Sequence, residues 1–422
     1  MKRVAIIGSG IAGLGCAHFL HREYDLRLYE KNDYAGGHAN TISVPEENRQ
    51  LLIDTGFMVF NQVTYPNLTR LFRELGVATK PTNMSFSVQH LPTGLEFCGT
   101  SLNHLFGQRR NLCRPRFWKM ILQINRFNRE AVAALSAPQI QNHTLAEYVK
   151  ERQYGDDFLN FYLVPMSSAV WSTPPQLMLE FPAVTLLRFF HNHGFLGLHT
   201  QHPWFTVVYG AQAYVQKIIA PIQDKIRLCC AATRVWREGH CAKVQNDAGQ
   251  IETFDWVIFA SHADETLHLL ADADDLERRV LGAFKYQANC ALLHTDESVM
   301  PKTRLCWSAW NYRIDQSNSH SLSPSTIYWM NRLQGVSERK NYFVSINGEN
   351  SVNPTAVIKR IDYQHPVFSL DAIQAQNELP NLNKRMNHIL FCGSYFRYGF
   401  HEDALTAALE ACRELTGKSL WS

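Results

Sequence analysis

The chain has 422 residues, of which 45% are apolar and 19% are charged. This length and composition predict a globular protein of two joined domains with a large buried core. A formal net charge of +3 does not provide the dense basic face that nucleic acid requires, so we expect no nucleic-acid partner.

The cysteines and the N-terminus bear on the cellular compartment. Ten cysteines are scattered without a C-x-x-C pair, which favours reduced thiols in the cytoplasm and predicts no metal site. Residues 1–7 resemble the start of a signal peptide, but glycines interrupt the apolar run and charges return at residues 21–23. No stretch approaches the ~20 uncharged apolar residues that span a bilayer. We expect a cytoplasmic protein, at most peripheral at the inner face of the membrane.

A β-branched run at residues 3–7 leads directly into Gly8-Ser9-Gly10-Ile11-Ala12-Gly13, and a helix is predicted over residues 14–21. In such a motif Gly8 makes the tight turn, Gly10 lets a pyrophosphate approach the backbone, and Gly13 lets helix and strand pack closely. The unpaired N–H groups at the start of the helix attract phosphate. The pattern predicts a dinucleotide site of the Rossmann type.

Three further segments indicate which dinucleotide is bound. A second predicted strand ends at Glu30-Lys31, where a carboxylate can receive ribose hydroxyls and where an arginine would instead favour NADP. Gly36-Gly37-His38 and Thr55-Gly56-Phe57 supply two more loops that could approach a ring system, which favours FAD over NAD. The alternative for Gly36-Gly37 is an ordinary hairpin turn.

These motifs resemble the N-terminal pattern of the flavin-containing amine oxidase and carotenoid (phytoene) desaturase superfamily. More narrowly, the chain is similar to a bacterial group of predicted NAD/FAD-binding oxidoreductases encoded near cyclopropane-fatty-acid synthase-like methyltransferases. The segments that carry the resemblance extend almost from end to end and include residues 54–61, 307–312, 328–334, 363–366 and 395–403.

The resemblance implies an α/β fold in which a Rossmann-type FAD-binding domain is interleaved with an α+β substrate domain. The FAD-binding domain is expected to comprise residues 1–65, 205–265 and 380–422. The substrate domain takes residues 66–204 and 266–379, with a helical first part and a later sheet. Short strand-like runs at 226–228, 233–235, 256–260 and 389–393 support this division.

The resemblance also assigns cofactor contacts in the second half of the chain. Val235 is the candidate for a backbone contact with adenine, and Ser261, Gly393 and Ser394 follow predicted strands. A flavin-edge role is expected for Gly399, Phe400, His401 and Ala404, where a helix dipole would stabilise negative charge, with simple helix capping as the alternative. Two positions depart from the family pattern, namely Ser394, where many relatives have an acid, and the segment Tyr209-Gly210-Ala211.

Candidate substrate and catalytic residues are fewer. Trp310, Asn311, Trp329 and Asn331 are predicted to line an apolar pocket with one polar end, although tryptophans are also common in cores. Hydride transfer to a flavin requires little from the protein, and no catalytic acid–base pair can be assigned. His38, His262 and His401 are candidates for handling protons because imidazole titrates near neutrality.

Residues 105–129 contain seven basic residues and no acid. Apolar residues alternate with these charges at helical spacing, which predicts a basic helix that rests on anionic lipid. The alternative is a solvated helix packed on the core. The basic residues are Arg109, Arg110, Arg114, Arg116, Lys119, Arg126 and Arg129, and the apolar ones are Phe117, Ile121, Ile124 and Phe127.

The leading hypothesis from these features is an FAD-dependent desaturase or oxidase that acts on a fatty-acyl or similar long apolar chain. One alternative is an amine oxidase producing imine and hydrogen peroxide, with an aromatic cage built from Tyr395, Phe396 or Tyr398. Another is a redox-neutral double-bond isomerase. The last is a non-catalytic flavoprotein that associates with a fatty-acid methyltransferase.

Overall fold

Parallel and antiparallel sheets are joined by a helical unit in the computed structural model, which describes residues 1–197, 200–316 and 322–421. In chain order its strands are β1 (Arg3–Ile7), β2 (Asp25–Tyr29), β3 (Thr41–Glu46), β4 (Arg49–Asp54), β5 (Phe60–Asn61), β6 (Thr79–Thr82), β7 (Phe86–His90), β8 (Leu95–Cys98), β9 (Trp204–Val207), β10 (Ile226–Arg227), β11 (Ala232–Glu238), β12 (Cys241–Asn246), β13 (Ile251–Phe254), β14 (Trp256–Phe259), β15 (Lys285–His294), β16 (Trp310–Gln316), β17 (Leu322–Trp329), β18 (Phe343–Ile346), β19 (Val357–Val367) and β20 (Ile389–Phe391).

The α-helices are α1 (Ile11–Leu20), α2 (Pro66–Glu74), α3 (Leu102–Leu105), α4 (Pro115–Ala134), α5 (Leu145–Glu151), α6 (Asp156–Phe158), α7 (Val164–Trp171), α8 (Pro175–Leu179), α9 (Ala183–Asn192), α10 (Gln212–Ile219), α11 (Ala263–Leu269), α12 (Asp275–Gly282), α13 (Met330–Leu333), α14 (Leu370–Gln376), α15 (Leu379–Lys384) and α16 (His401–Thr416). A π-helical turn at Leu159–Leu163 joins α6 to α7.

The N-terminal motif belongs to a five-stranded parallel sheet with the strand order β10-β2-β1-β14-β20. In the centre, Ile6 pairs with Leu28 on one side and with Ile258 on the other. Because side chains alternate along a strand, Val4 and Ile6 face α1 and α16, whereas Ala5 and Ile7 face α12, α14 and the small sheet β11-β12-β13. Burial on both faces explains why these strands read as continuous apolar runs.

Close packing of α1 requires glycine at two positions. A Cβ on Gly13 would overlap the carbonyl oxygen of Gly8, and one on Gly15 would lie 2.9 Å from the side chain of Leu405. Gly13 therefore lets α1 start directly against β1, and Gly15 lets α16 pack on α1.

A second, seven-stranded sheet has the order β19-β15-β18-β17-β16-β7-β8. β16 and β7 run parallel, and the other neighbours pair in antiparallel fashion. The helical unit α3 to α9 packs around Phe127, Phe158 and Phe190. The strands of this sheet fall within residues 66–204 and 266–379, and those of the parallel sheet within the other predicted segments. The predicted fold class is confirmed, while the exact domain boundaries stay predictions.

The Asp54 carboxylate connects segments that are far apart in the chain. It is buried, and it accepts hydrogen bonds from Thr41 Oγ1 (2.6 Å), Ala211 N (2.9 Å) and Gln334 Nε2 (2.5 Å). Gln334 Oε1 in turn accepts from Asp54 N at 3.0 Å. One side chain thus ties β3, the start of α10 and the end of α13 to the end of β4.

We expect Asp54→Ala to lower the free energy of unfolding by about 3 kcal/mol, because it leaves several buried donors without an acceptor. Urea denaturation followed by circular dichroism measures this change. Ser43→Ala, which removes an exposed hydrogen bond to Gln50 in the same hairpin, is the control and should cost no more than about 0.5 kcal/mol. Equal stabilities of the two variants would contradict the role given to Asp54.

Candidate functional site

The turn between β1 and α1 leaves room for a ligand in front of the helix. Gly10 is the N-cap of α1 and no side chain caps it, so the first N–H groups of the helix face this space. A Cβ on Gly10 would meet nothing within 4 Å, whereas one on Gly37 would lie 3.1 Å from Gly10 Cα. The predicted second glycine loop therefore lies beside the first. Backbone surrounds an open position where phosphate is favoured.

Glu30 lies at the end of β2, against the same turn. Its Oε2 accepts from Ser9 N (3.1 Å) and Ser9 Oγ (2.5 Å), and its Oε1 accepts from Asn32 N at 2.9 Å. The carboxylate is thus held beside the glycine turn, as a ribose-binding acid must be. Lys31 turns away, since its ammonium group pairs with Glu265 of α11 at 2.7 Å on the surface.

The loop after β4 packs on the second glycine loop. Phe57 N donates to His38 O at 2.7 Å, and a Cβ on Gly56 would overlap that same oxygen. Thr55 Oγ1 is 3.1 Å from Asn40 O and 2.8 Å from Tyr363 OH. Residues 36–38 and 55–57, predicted as two separate approaches to a ring system, form one wall.

Four histidines border this wall. The ring of His38 stacks on Tyr363 with centroids 4.8 Å apart, and His365 and His262 lie 5.1 and 6.4 Å away. His401 stacks on Phe57 at 3.9 Å. Among the residues that the structure describes, no group of these or other potential ligands is arranged to hold a metal ion.

Burial keeps all four histidines uncharged at neutral pH. It lowers the pKa of His401 to about 3 and that of His365 to about 4, and it lowers the pKa of His38 and of His262 as well. His38 Nε2 is buried and has no hydrogen-bond partner in the described part of the chain. Such an atom calls for a polar ligand at this position.

The last wall is the loop from β20 to α16. Gly393 and Ser394 follow β20, Gly399 adopts a φ of 95°, and α16 begins at His401. His401 Nε2 lies 3.1 Å from Tyr214 OH. The contacts of His401 with Phe57 and Tyr214 bring the N-terminus of α16 to the same wall that borders His38. Its dipole therefore adds positive potential at this edge of the site.

The two acids of this helix terminus are bound to the protein itself. Asp403 Oδ2 accepts from Phe400 N at 2.9 Å, and Glu402 accepts from Asn67 N and Leu68 N, each at 2.9 Å. Burial raises the pKa of Asp403 to about 7 and raises that of Glu402. Helix capping thus accounts for these two acids. The same helix start also places His401 at the wall.

Several predicted residues lie elsewhere. The side chain of Val235 is buried in the core between the sheets, and its carbonyl accepts from Ala271 N, while its backbone contact with adenine stays a prediction. Asn311 is also buried, and its amide bonds with Ser87 and with backbone groups on the face of β16 opposite to Trp310. The prediction for Asn311 is wrong because its side chain serves the interior.

Trp329 and Asn331 do not line the site either. Trp329 Nε1 donates to Asn341 Oδ1 at 2.8 Å, and its ring packs on Trp307. Asn331 bonds to the backbone of residues 337–342 and holds that turn. Of the four predicted pocket residues, Trp310 alone has its polar atom buried and without a partner among the described residues.

The sequence analysis assigned no role in the site to Tyr363 and His365, although it included residues 363–366 among the segments that carry the family resemblance. Both lie on β19, two residues apart, so both side chains face the same side of the sheet. That period-two spacing of aromatic residues was the available signal. The predicted cofactor residues that the structure brings to this site are Gly8, Gly10, Ile11, Ala12, Gly13, Glu30, Gly36, Gly37, His38, Thr55, Gly56, Phe57, Ser261, Gly393, Ser394, Gly399, Phe400, His401 and Ala404.

Comparison with known proteins agrees with this geometry. The model of a family described as flavin containing amine oxidoreductase matches residues 11–416. The chain belongs to this family. It is therefore an FAD-dependent oxidoreductase, and the open position at Gly10, the acid Glu30 and the unpartnered His38 Nε2 fit FAD.

One curated relative is a 1-hydroxycarotenoid 3,4-desaturase of Flavobacterium sp. (strain P99-3), 51% identical over 45 residues. That match covers 10% of this chain and 9% of the desaturase. Solved structures with the same fold include wild-type putrescine oxidase bound to putrescine (TM-score 0.67, 11% identity, 99% of both chains covered). A fatty acid isomerase from P. acnes, described as CLA-producing, has a TM-score of 0.68 and 13% identity, with 96% of this chain and 97% of that chain covered. At these identities the structures show the fold alone.

Substituting two glycines of the first turn should separate cofactor binding from folding. Gly10→Ala should fold, because its φ is −65° and the space is open, yet lower the affinity for FAD at least about tenfold since the methyl group blocks the pyrophosphate. Gly13→Ala should not fold. Flavin fluorescence titration and circular dichroism measure the two effects. A Gly10→Ala protein with unchanged FAD affinity would place the pyrophosphate elsewhere.

The buried His401 should make stability depend on pH. Its pKa lies below the ordinary value in the folded state, so the unfolded chain binds the proton first and stability is lost as pH falls below about 6.5. As the pH falls from 7.5 to 5.5, the free energy of unfolding of the His401→Gln apoprotein should rise by about 1.4 kcal/mol relative to that of the wild-type apoprotein. Urea denaturation at both pH values measures this, with His240→Gln at an exposed position as the control. An unchanged difference would show that His401 is not buried in neutral form.

Proposed function

We propose that this protein is an FAD-dependent desaturase or oxidase acting on a fatty-acyl or other long apolar chain. The observation that carries the proposal is the aromatic environment of Phe400, in the loop before α16. When bound, FAD accepts a hydride at N5 from a substrate C–H bond, so the protein has to position that bond and exclude water.

The aromatic environment is built by α7 and α9. Phe400 stacks on Phe189 with centroids 5.0 Å apart and lies 6.0 Å from Trp171. Trp171 Nε1 donates to Tyr398 O at 3.0 Å, which fixes the loop to α7. His193, whose pKa is lowered by burial to about 4, stacks on Phe189 and stays neutral. Such a wall suits a hydrocarbon chain.

Charge and packing disfavour an amine as the substrate. The carboxylates of Asp54, Glu402 and Asp403 already accept hydrogen bonds from the protein, so they are not free to pair with an ammonium group. Tyr395, predicted as part of an amine cage, is buried in the core against Phe284 with centroids 5.2 Å apart. The predicted cage is therefore not built from Tyr395.

A polar end of the substrate can be held between α7 and β16. Trp310 Nε1 is buried there without a hydrogen-bond partner, and the buried Ser168 Oγ and Tyr312 OH have no well-aligned hydrogen bond, within residues 1–197, 200–316 and 322–421. The Ser168 hydroxyl lies beside that of Tyr312 and partly offsets the rise in the pKa of Tyr312 caused by burial. These uncharged groups suit an ester or amide carbonyl better than a free carboxylate.

The resemblance to oxidoreductases encoded near cyclopropane-fatty-acid synthase-like methyltransferases also supports a lipid substrate. We further propose that the protein associates with a fatty-acid methyltransferase of this kind.

The test is anaerobic reduction of the purified holoprotein. We expect a phospholipid extract to bleach the visible flavin spectrum and a panel of primary amines to leave it unchanged. Recovered acyl chains should then carry one more double bond by mass spectrometry. Bleaching by amines alone would replace this proposal with the amine oxidase. Conversion of acyl chains without net bleaching would replace it with the isomerase.

Tyr312→Phe should raise the KM for the lipid about fivefold to tenfold, the effect of losing one hydrogen bond, while the flavin content stays the same. Tyr342→Phe removes a hydroxyl that bonds with Glu46 at 3.2 Å and serves as the control. Steady-state kinetics of both variants measure the effect. A KM for Tyr312→Phe equal to that of the control would remove Tyr312 from the binding of the polar end.

A further inference from the structure

We infer that the surface formed by α3, the turn Arg109–Cys113 and the exposed side of α4 binds an anionic phospholipid bilayer. We call it the basic apolar surface. Its exposed apolar residues are Leu102, Leu112, Trp118 and Leu122, and its basic residues are Arg109, Arg110, Arg114, Lys119 and Arg129.

The apolar part of this surface differs from the one that helical spacing predicted. Phe117 and Phe127 are 4% and 0% exposed and pack in the core, so the predicted lipid-facing aromatic residues are wrong. The outward side of α4 instead carries Trp118 and Leu122, which are 44% and 66% exposed. Leu102, 76% exposed, belongs to the neighbouring helix α3. Exposed large apolar side chains grouped among charges mark an interaction surface.

The charge of the surface selects the partner. Arg116 pairs with Asp157 at 2.6 Å and Arg126 with Glu130 at 3.6 Å, so these two charges are neutralised. For the five basic residues of the surface, no carboxylate lies within ion-pair distance in the described ranges. Five unpaired cations around apolar side chains are complementary to anionic headgroups above a hydrocarbon layer.

Local contacts hold the surface in shape. Trp118 Nε1 donates to Leu112 O at 2.9 Å, and the ring packs on Phe106 with centroids 5.1 Å apart. Arg109 donates to Phe106 O at 3.0 Å, which keeps its guanidinium at the surface. A fixed tryptophan beside arginines is typical of protein segments at a membrane interface. None of the helices in the described residues has the length and apolarity needed to cross a bilayer.

The surface is one helix away from the loop that precedes α16. On the inner side of α4, Phe127 contacts Phe190 of α9 with centroids 6.5 Å apart. The adjacent Phe189 stacks on Phe400. A bilayer bound at this surface therefore lies near the aromatic environment of the site. That consequence rests on the proposed function, whereas the binding itself does not.

The experiment is cosedimentation of the holoprotein with vesicles. We expect binding to vesicles of phosphatidylcholine with phosphatidylglycerol, little binding to phosphatidylcholine alone, and weakening by salt. Arg109→Gln combined with Arg110→Gln should lower the partition coefficient on the order of 20-fold, at about fivefold for each charge. Leu122→Ser should lower it several-fold without affecting folding, since the side chain is exposed.

Matched controls are Lys2→Gln combined with Arg22→Gln, and Ile251→Ser, all at exposed positions on the other domain. Equal binding of the surface variants and these controls would overturn the inference. So would a wild-type dimer that Leu122→Ser converts to a monomer, since the surface would then bind a second copy. Flavin reduction by detergent-dispersed lipid should be unchanged in Leu122→Ser. If the wild-type holoprotein binds vesicles but lipid does not reduce its flavin, the proposed function is refuted and the membrane-binding inference stands.

Discussion

The close approach of α1 to β1 is the constraint on which the cofactor site depends. The helix starts immediately at the carboxyl end of the central strand. Only glycine at position 13 allows this, because a Cβ there would overlap the carbonyl oxygen of Gly8. The free N–H groups of the helix then face the crevice between neighbouring strands. Glu30 and the loop at Gly37 take their positions from this turn, since each contacts its backbone directly. A dinucleotide site follows from the placement of one helix end.

The second half of the site depends on contacts between residues far apart in the chain. Asp54 joins segments of both sheet systems, and Thr55 beside it contacts Tyr363 of the seven-stranded sheet. His38, stacked on Tyr363, is therefore held between a nucleotide-binding loop and the sheet of the other domain. Desolvation in this enclosed position lowers the pKa of the imidazoles and keeps them neutral, so the environment of the loops beside His38 is polar in composition yet carries little charge.

The interior and the surface also differ in how their charged groups are paired. Around α16 the buried acids accept hydrogen bonds from backbone N–H groups, whereas the five basic residues of the basic apolar surface have no acidic partner in the described part of the chain. An uncharged aromatic interior and a cationic apolar surface are connected through the packed rings of α4 and α9. An enzyme that takes a lipid from a bilayer would need both features, and here they are two sides of one helical unit.

Local sequence determined the parts of this protein that depend on neighbouring residues. The glycine turn, the acid at the end of β2, the parallel strands and the helix at α16 could be predicted because their geometry is set within a few residues. Only the tertiary structure decided which face of each element meets the site. Asn311 and Trp310 are adjacent on one strand, yet the pleat sends them to opposite faces, and only tertiary packing determines which face meets α7. On α4, likewise, helical spacing alone did not determine which apolar residues are buried. Phe117 and Phe127 pack in the core, whereas Trp118 and Leu122 are exposed, because burial depends on partners distant in sequence.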